Sequence, residues 1–204
     1  MNAIDTSSPA KHFDALFARD ADPWQTRTRW YERRKRALTL AALPRERYAR
    51  AYEPGCGAGE TTLALAQRCD ELLASDASEA AVGQARARLS GTSNVSVVQA
   101  HMPHNWPPGS FDLIVVSELG YYLDAGKLTQ LAQHCRDALS DGGTLLACHW
   151  RHPADDLRLN APDVHAILHE RTGLRRLSHY EDEDFLLDAW STDGRSVAAM
   201  EGLA

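Results

Sequence analysis

The chain predicts an α/β fold: a largely parallel sheet with helices on both faces. Three observations predict it. Strand-like and helix-like segments alternate through most of the 204 residues, the pattern of successive βαβ units. A glycine turn, Glu53-Pro54-Gly55-Cys56-Gly57-Ala58-Gly59-Glu60, joins a short apolar run to a helical one. An acid, Asp76, closes the next apolar run, about twenty residues beyond the turn, where a carboxylate can meet a ribose.

The elements follow in order. Residues 1–8 are polar and are expected to be loose. Phe13, Leu16 and Phe17 recur at helical spacing over 9–19. Asp22-Pro23-Trp24 breaks the chain. A basic helix is expected over 25–42, carrying Arg27, Arg29, Arg33, Arg34, Lys35 and Arg36, and Pro44 stops it. A buried strand over 49–53 leads into the glycine turn, and a helix over 60–68 follows it. A second strand spans 72–76. Ser78 can cap the next helix, with Glu79 in its first turn and Gly91 as its stop. Strands are expected over 95–99 and 111–117, the latter apolar enough to be covered on both faces. A helix over 125–139 ends before the turn Asp141-Gly142-Gly143, and a fifth strand covers 144–149. A helix over 162–171 is closed by Gly173. Segments 174–180 and 185–191 form an antiparallel pair around the acidic turn 181–184. The cap, 1–45, and the body, 46–193, make one domain, with 194–204 a tail of little signal.

Composition narrows the function. Hydrophobic residues are 44% and the net charge is −6; a nucleic-acid partner would call for a basic surface. The four cysteines lack zinc spacing, so no metal is expected, and reduced thiols suit a cytoplasmic protein. The first residues lack the basic flank and apolar run of a signal peptide. No stretch reaches the roughly twenty apolar residues of a membrane span.

The glycine turn carries the cofactor reading. Glycine allows φ > 0 and lets bare backbone approach a ligand. The third glycine, Gly59, stands two residues after Gly57, where a dinucleotide fingerprint puts it three after. Glu53 precedes the glycines, where a pyrophosphate would meet like charge. Together these favour S-adenosylmethionine (SAM), whose methionine end is cationic. A buried Glu53 needs a partner, and an ammonium is one.

Parallel sheets bind ligands beyond the C-terminal strand ends, so five loops are expected to build the site. The first is the glycine turn, and Asp76 with Ala77 follows the second strand. Gln99, His101 and Met102 would border an adenine. The loop Ser117-Glu118-Leu119-Gly120-Tyr121-Tyr122-Leu123 brings an acid and two phenols to the place where a transferred group would emerge. His149-Trp150-Arg151-His152-Pro153 adds an aromatic face and hydrogen-bonding groups. The arginine-rich N-terminal helix reads as a lid over the cofactor.

These blocks resemble the class I SAM-dependent methyltransferases. Trp30-Tyr31-Glu32-Arg33-Arg34-Lys35, Glu53-Pro54-Gly55-Cys56, Ser117 to Leu123, His149 to Pro153 and Asp182-Glu183-Asp184-Phe185-Leu186-Leu187 resemble more closely the nodulation-protein-S-like branch. The resemblance implies a Rossmann-like sandwich with a seven-stranded sheet of order 3-2-1-4-5-7-6, the seventh strand antiparallel. It implies SAM as methyl donor and S-adenosylhomocysteine (SAH) as product. Glu53, Gly55, Cys56, Gly57 and Gly59 would hold the methionine part, and Asp76 and Ala77 the ribose. Gln99, His101, Met102 and Ser117 would line the remaining cofactor surface. Trp24, Trp30 and Arg34 would belong to a cap, with an arginine meeting the SAM carboxylate. The branch's namesake methylates the free amine of a deacetylated chitooligosaccharide. An amino-sugar or chitooligosaccharide acceptor is therefore expected, with Trp150, Arg151 and His152 binding it. Glu118 and His149 are the candidate bases, and Tyr121 and Tyr122 would orient the amine. The adenine loop lacks the acid that many class I members place there.

Other readings remain. O- or N-methylation of another small molecule fits the same residues. An NAD-linked oxidoreductase conflicts with the glycine spacing and with Glu53. A non-catalytic SAM- or RNA-binding module would bind cofactor without turnover.

Overall fold

The computed structural model describes residues 9–204; the expectation for 1–8 lies outside them. Its centre is a seven-stranded sheet of order β3-β2-β1-β4-β5-β7-β6. The strands are β1 (Tyr48–Pro54), β2 (Cys69–Asp76), β3 (Val95–Gln99), β4 (Phe111–Ser117), β5 (Leu139–Trp150), β6 (Arg175–Glu181) and β7 (Phe185–Ser191). β1 to β5 run parallel, and β7 is antiparallel to both β5 and β6. This is the order implied by the resemblance.

The helices are α1 (Pro9–Arg19), α2 (Trp30–Ala41), α3 (Glu60–Ala66), α4 (Glu79–Arg88), α5 (Ala125–Ala138), α6 (Ala161–Thr172) and the short α7 (Val197–Met200). Alternate residues of β4 serve opposite faces. Ile114 and Val116 pack into a core with α5 and α6, while Leu113 and Val115 pack with Leu43, Leu65 and Phe185. All four are fully buried, as expected for a strand covered on both sides.

Several segments differ from the sequence expectation; β2 begins three residues early and α3 ends two residues early. The basic helix begins at Trp30, not 25, because Asp22 builds its own turn. Its carboxylate accepts from Thr26 N, Thr26 Oγ1 and Arg27 N at 2.7, 2.7 and 3.1 Å, which competes with helical bonding. The Asp141-Gly142-Gly143 turn lies inside β5 as an irregularity. Phe111 pairs with Leu139 and Leu113 with Thr144, so the extra residues bulge out at Gly142, φ 68°. Gly91 does not close α4; Leu89 takes the C-cap with φ −100°. The tail, read as featureless, holds α7, capped by Ser196.

The caps that were legible hold. Ser78 Oγ accepts from Ala81 N at 3.1 Å, and Gly173 ends α6 in the left-handed region at φ 63°. No helix of the described residues is long and apolar enough to cross a membrane.

Candidate active site

A cavity of about 670 Å³ opens beyond the C-terminal ends of β1, β2, β4 and β5, where open parallel sheets place ligands. Its floor is the glycine turn. Gly55 and Cys56 donate their N–H groups to Ser75 O at 2.7 and 2.9 Å, fastening the turn to β2. Gly57 adopts φ 53°, and a Cβ there would stand 3.7 Å from Phe17 Cζ of α1. Bare backbone is thus presented to the cavity beneath an aromatic lid.

Gly59 has another task. A Cβ at Gly59 would come within 3.2 Å of Ala85 Cβ and 3.3 Å of Ala85 Cα. The third glycine lets α3 approach α4 and does not line the cavity, which corrects its assignment as a cofactor contact.

Glu53 is the most distinctive group in the site. It is 2% exposed, lines the cavity, and its Oε2 has no hydrogen-bond partner. Burial, with a smaller push from the Asp76 carboxylate, raises its pKa to about 7. A buried carboxylate left in this state is strongly disfavoured unless something supplies positive charge or donors. Asp76 is better provided: its Oδ2 accepts from Gly57 N and its Oδ1 from Ser78 N, both at 2.9 Å. Burial nevertheless raises its pKa. Each oxygen keeps acceptor capacity toward the cavity.

Opposite these groups stands the loop after β4. Glu118 adopts φ 54°, a left-handed conformation that costs a non-glycine residue about 1–3 kcal/mol. Three donors hold it there. Lys35 Nζ of α2 lies 2.7 Å from Oε1, Trp150 N lies 3.2 Å from Oε2, and the Tyr121 hydroxyl also donates to Oε2. Lys35 bonds Glu32 as well, at 3.3 Å. Burial opposes its charge, but Glu118 and Glu32 prevail and hold the ammonium protonated above its ordinary value. Burial keeps Tyr121 a neutral phenol. Tyr31, beside Trp150 at 5.1 Å between ring centres, has a buried hydroxyl without a partner.

The lid is built from α1 and the segment that follows it. Phe13 and Phe17, four residues apart on one helix face, pack edge-on against Tyr122 and Trp24. Asp14 accepts from Ser78 Oγ at 2.6 Å. His12 reaches Asp156 at 3.4 Å, in the 154–158 segment across the cavity. Arg27 and Arg88 clamp Glu60 at 2.9 and 2.6 Å.

Of the residues expected at the site, Trp24, Glu53, Gly55, Cys56, Gly57, Asp76, Ala77, His101, Met102, Ser117, Glu118, Tyr121, Tyr122 and Trp150 line this one cavity. Several expected residues do not. Gln99 is exposed and donates to Ala77 O at 3.1 Å. Trp30 is 69% exposed, with Arg33 over its ring. Arg34 is held by Asp182 at 2.7 Å and Tyr180 at 2.6 Å. Arg151 pairs with Glu181 at 2.8 Å, and His152 with Asp184 at 2.9 Å. The acidic turn 181–184 thus draws these basic groups away from the cavity. His149 is also corrected: it is wholly buried, and its Nε2 accepts from Gly120 N at 3.0 Å. That lone pair is spent, so His149 is not a base for an acceptor. Burial holds its pKa well below the ordinary value.

Tyr31, Glu32 and Lys35 also line the cavity, although the sequence points to Trp30 and Arg34 of the same block. Residues 31 and 35 share a helix face, while 30, 33 and 34 lie around the cylinder. The i, i+4 repeat of Tyr31, Lys35 and Thr39 was the available signal. Gly120 is likewise not among the expected site residues. A Cβ there would fall 2.5 Å from Val164 Cγ1 and 3.1 Å from His149 Nε2. Gly120→Ala is expected to lower stability by about 1–3 kcal/mol through overpacking, measurable by chemical denaturation.

Sheet order, glycine turn and strand-end carboxylates define a class I methyltransferase fold. The comparisons agree. The methyltransferase domain family matches residues 51–143. A solved structure of a Pseudomonas syringae protein assigned as a methyltransferase is 57% identical, covering 80% of this chain and 99% of that one, with TM-score 0.72. N-methyltransferase NodS of Bradyrhizobium japonicum WM9, solved in complex with SAH, is 28% identical over 89% of this chain and 97% of that one, with TM-score 0.77. Nodulation protein S of Rhizobium tropici is 32% identical over 127 residues, 61% of this chain and 53% of that protein. The chain spans about half the length of the curated relatives it matches. The chain belongs to the class I SAM-dependent methyltransferase family and is similar to its NodS-like branch.

The residues present fit the adenosyl cofactor of that family. A buried carboxylate with one oxygen unpartnered suits an ammonium, and Asp76 has acceptor capacity for vicinal hydroxyls. Gly57, at φ 53°, presents bare backbone in the cavity lining. Among the described residues no group of three or more His, Cys, Asp or Glu is placed to hold a metal ion.

Proposed function

We propose that this chain transfers the methyl group of SAM to the nitrogen of an amine on a small acceptor of the amino-sugar or chitooligosaccharide kind. The observation that carries the reading is Glu53, a buried carboxylate whose Oε2 has no partner, in a cavity whose other end holds Glu32, Glu118 and aromatic rings. When bound, SAM supplies a methyl group on a positively charged sulfur, already activated for displacement. Glu53 would pair with its ammonium and Asp76 would accept from its ribose hydroxyls. Met102 and His101 border the space left for the adenine.

The chain's remaining work is positioning. Phe13, Phe17 and Trp24 exclude water from the cofactor side. Glu118 and Tyr121 are locked to each other and to Lys35, so the acceptor meets a fixed surface. Over the whole cavity carboxylates outnumber lysines and arginines, which favours an amine over an anionic acceptor. Glu118, oriented by its three donors, is the proposed proton acceptor in place of His149. An amine that is partly neutral at working pH suits this site. Turnover is expected to rise with pH through the acceptor's own pKa.

The test is methyl transfer from labelled SAM to glucosamine oligomers. Incorporation that disappears after N-acetylation supports the reading. Transfer to phenols but never to these amines overturns the acceptor. Asp76→Ala is expected to weaken SAH affinity about tenfold or more, since it removes acceptors for two hydroxyls, as read by calorimetry.

A further inference from the structure

Behind the acceptor loop runs a buried chain of polar groups that the proposed transfer does not use. Gly120 N lies 3.0 Å from His149 Nε2. His149 Nδ1 lies 3.0 Å from His165 Nε2, and His165 Nδ1 lies 2.6 Å from Asp188 Oδ2. His149 is fully buried, His165 is 5% exposed and Asp188 1%. Asp188 is itself anchored through its other oxygen, which accepts from His179 Nδ1 at 2.9 Å. The chain thus links the acceptor loop, through β5 and α6, to β7.

One arrangement of protons satisfies this geometry. A backbone N–H can only donate, so His149 Nε2 must carry a lone pair. Neutral His149 then has its proton on Nδ1 and donates it to His165 Nε2, which must accept. His165 in turn has its proton on Nδ1 and donates it to the Asp188 carboxylate. Protonating either ring at Nε2 would set two donors face to face. The low pKa that burial gives His149 agrees with a neutral ring.

We propose that His165 and Asp188 are positioning residues: by fixing the tautomer of His149 they present its Nε2 to Gly120 and hold the acceptor loop in its working shape. The loop needs such a hold. Glu118 sits in the left-handed region two residues before Gly120, and Tyr121, which donates to Glu118, follows Gly120 directly. Substitution at Gly120 is blocked by Val164 of the helix that carries His165. The orientation of Glu118 and Tyr121 toward an acceptor thus depends on a carboxylate of β7, reached through His165 of α6. That the loop meets the acceptor rests on the proposed function; the proton order does not.

The test uses ligand-free protein and needs no acceptor. Long-range 1H–15N correlation spectra of the imidazole nitrogens should show His149 and His165 neutral, each protonated at Nδ1. In His165→Leu, which leaves His149 Nδ1 without its acceptor, exchange of the Gly120 and Tyr121 amides should rise about tenfold. His165→Gln keeps an amide oxygen for His149 and an N–H for Asp188. It should restore protection to within about twofold of the parent. SAH affinity should stay unchanged in both, because Glu53 and Asp76 lie outside the chain of bonds. Finding His149 protonated at Nε2 in the parent protein overturns the proposal whether or not either variant folds. Equal loop exchange in His165→Leu and His165→Gln also overturns it.

Discussion

Replacing Glu53 by glutamine should stabilise the ligand-free protein and, in the same variant, cut SAH affinity about hundredfold. The stabilisation follows from linkage. The folded-state pKa is about 7, against 4.5 for a free glutamate side chain. Between those pH values the folded protein keeps a proton that the unfolded chain has released. Stability therefore falls as pH rises from about 4.5 to about 7 and is level above, a loss of order 3 kcal/mol. Glutamine does not titrate, so Glu53→Gln should lack this fall and exceed the parent in stability at pH 8. The loss of affinity follows because the same carboxylate is the partner for the ligand's ammonium. Urea denaturation at pH 5 and pH 8, with calorimetry of SAH binding, reads both effects. Identical pH dependence in parent and variant would exclude the raised pKa.

Lys35→Met should be among the most damaging single changes on the acceptor side. The ammonium is 9% exposed and bonds both Glu32 and Glu118. Removing it leaves two largely enclosed carboxylates without their cation, a change that costs about 3–5 kcal/mol in buried pairs. Glu118 would also lose the contact that holds its left-handed backbone, so the loop should loosen along with the fold. Adding Glu118→Gln to Lys35→Met should recover part of the stability, because one uncompensated charge is then gone. Denaturation of the single and double variants forms the check. A double variant no more stable than Lys35→Met would show that the pairing contributes little.

Much of the fold was legible because its signals are local. The residues chosen for α1, β3, β4 and β7 are the residues of those elements, each marked by clear periodicity or a bounded apolar run. The segment over 25–42 failed at its start because Asp22 makes three hydrogen bonds within its own turn. The bulge in β5 depends on pairing with β4, which no single segment encodes.

The site divides the same way. Gly55, Gly57, Glu53 and Asp76 could be placed because a glycine turn and strand-end acids fix position within the chain. His149 and Trp150 could not be told apart. They are neighbours at one strand end, and successive strand residues point to opposite faces. Only the sheet decides that Trp150 faces the cavity and that His149 turns toward α6. Arg34, Arg151 and His152 were drawn off by acids thirty or more positions away in sequence. No local pattern announces that competition.

The most direct measurement of the central claim is a calorimetric titration with SAH at pH 7, in two buffers of different ionisation heat. If Glu53 receives the ligand's ammonium, one molecule should bind per chain. Roughly half a proton should then be released, the share a carboxyl with a pKa near the working pH still holds. That release should vanish in Glu53→Gln. NADH binding in the absence of SAH binding, or SAH binding with no proton release at pH 7, would contradict it.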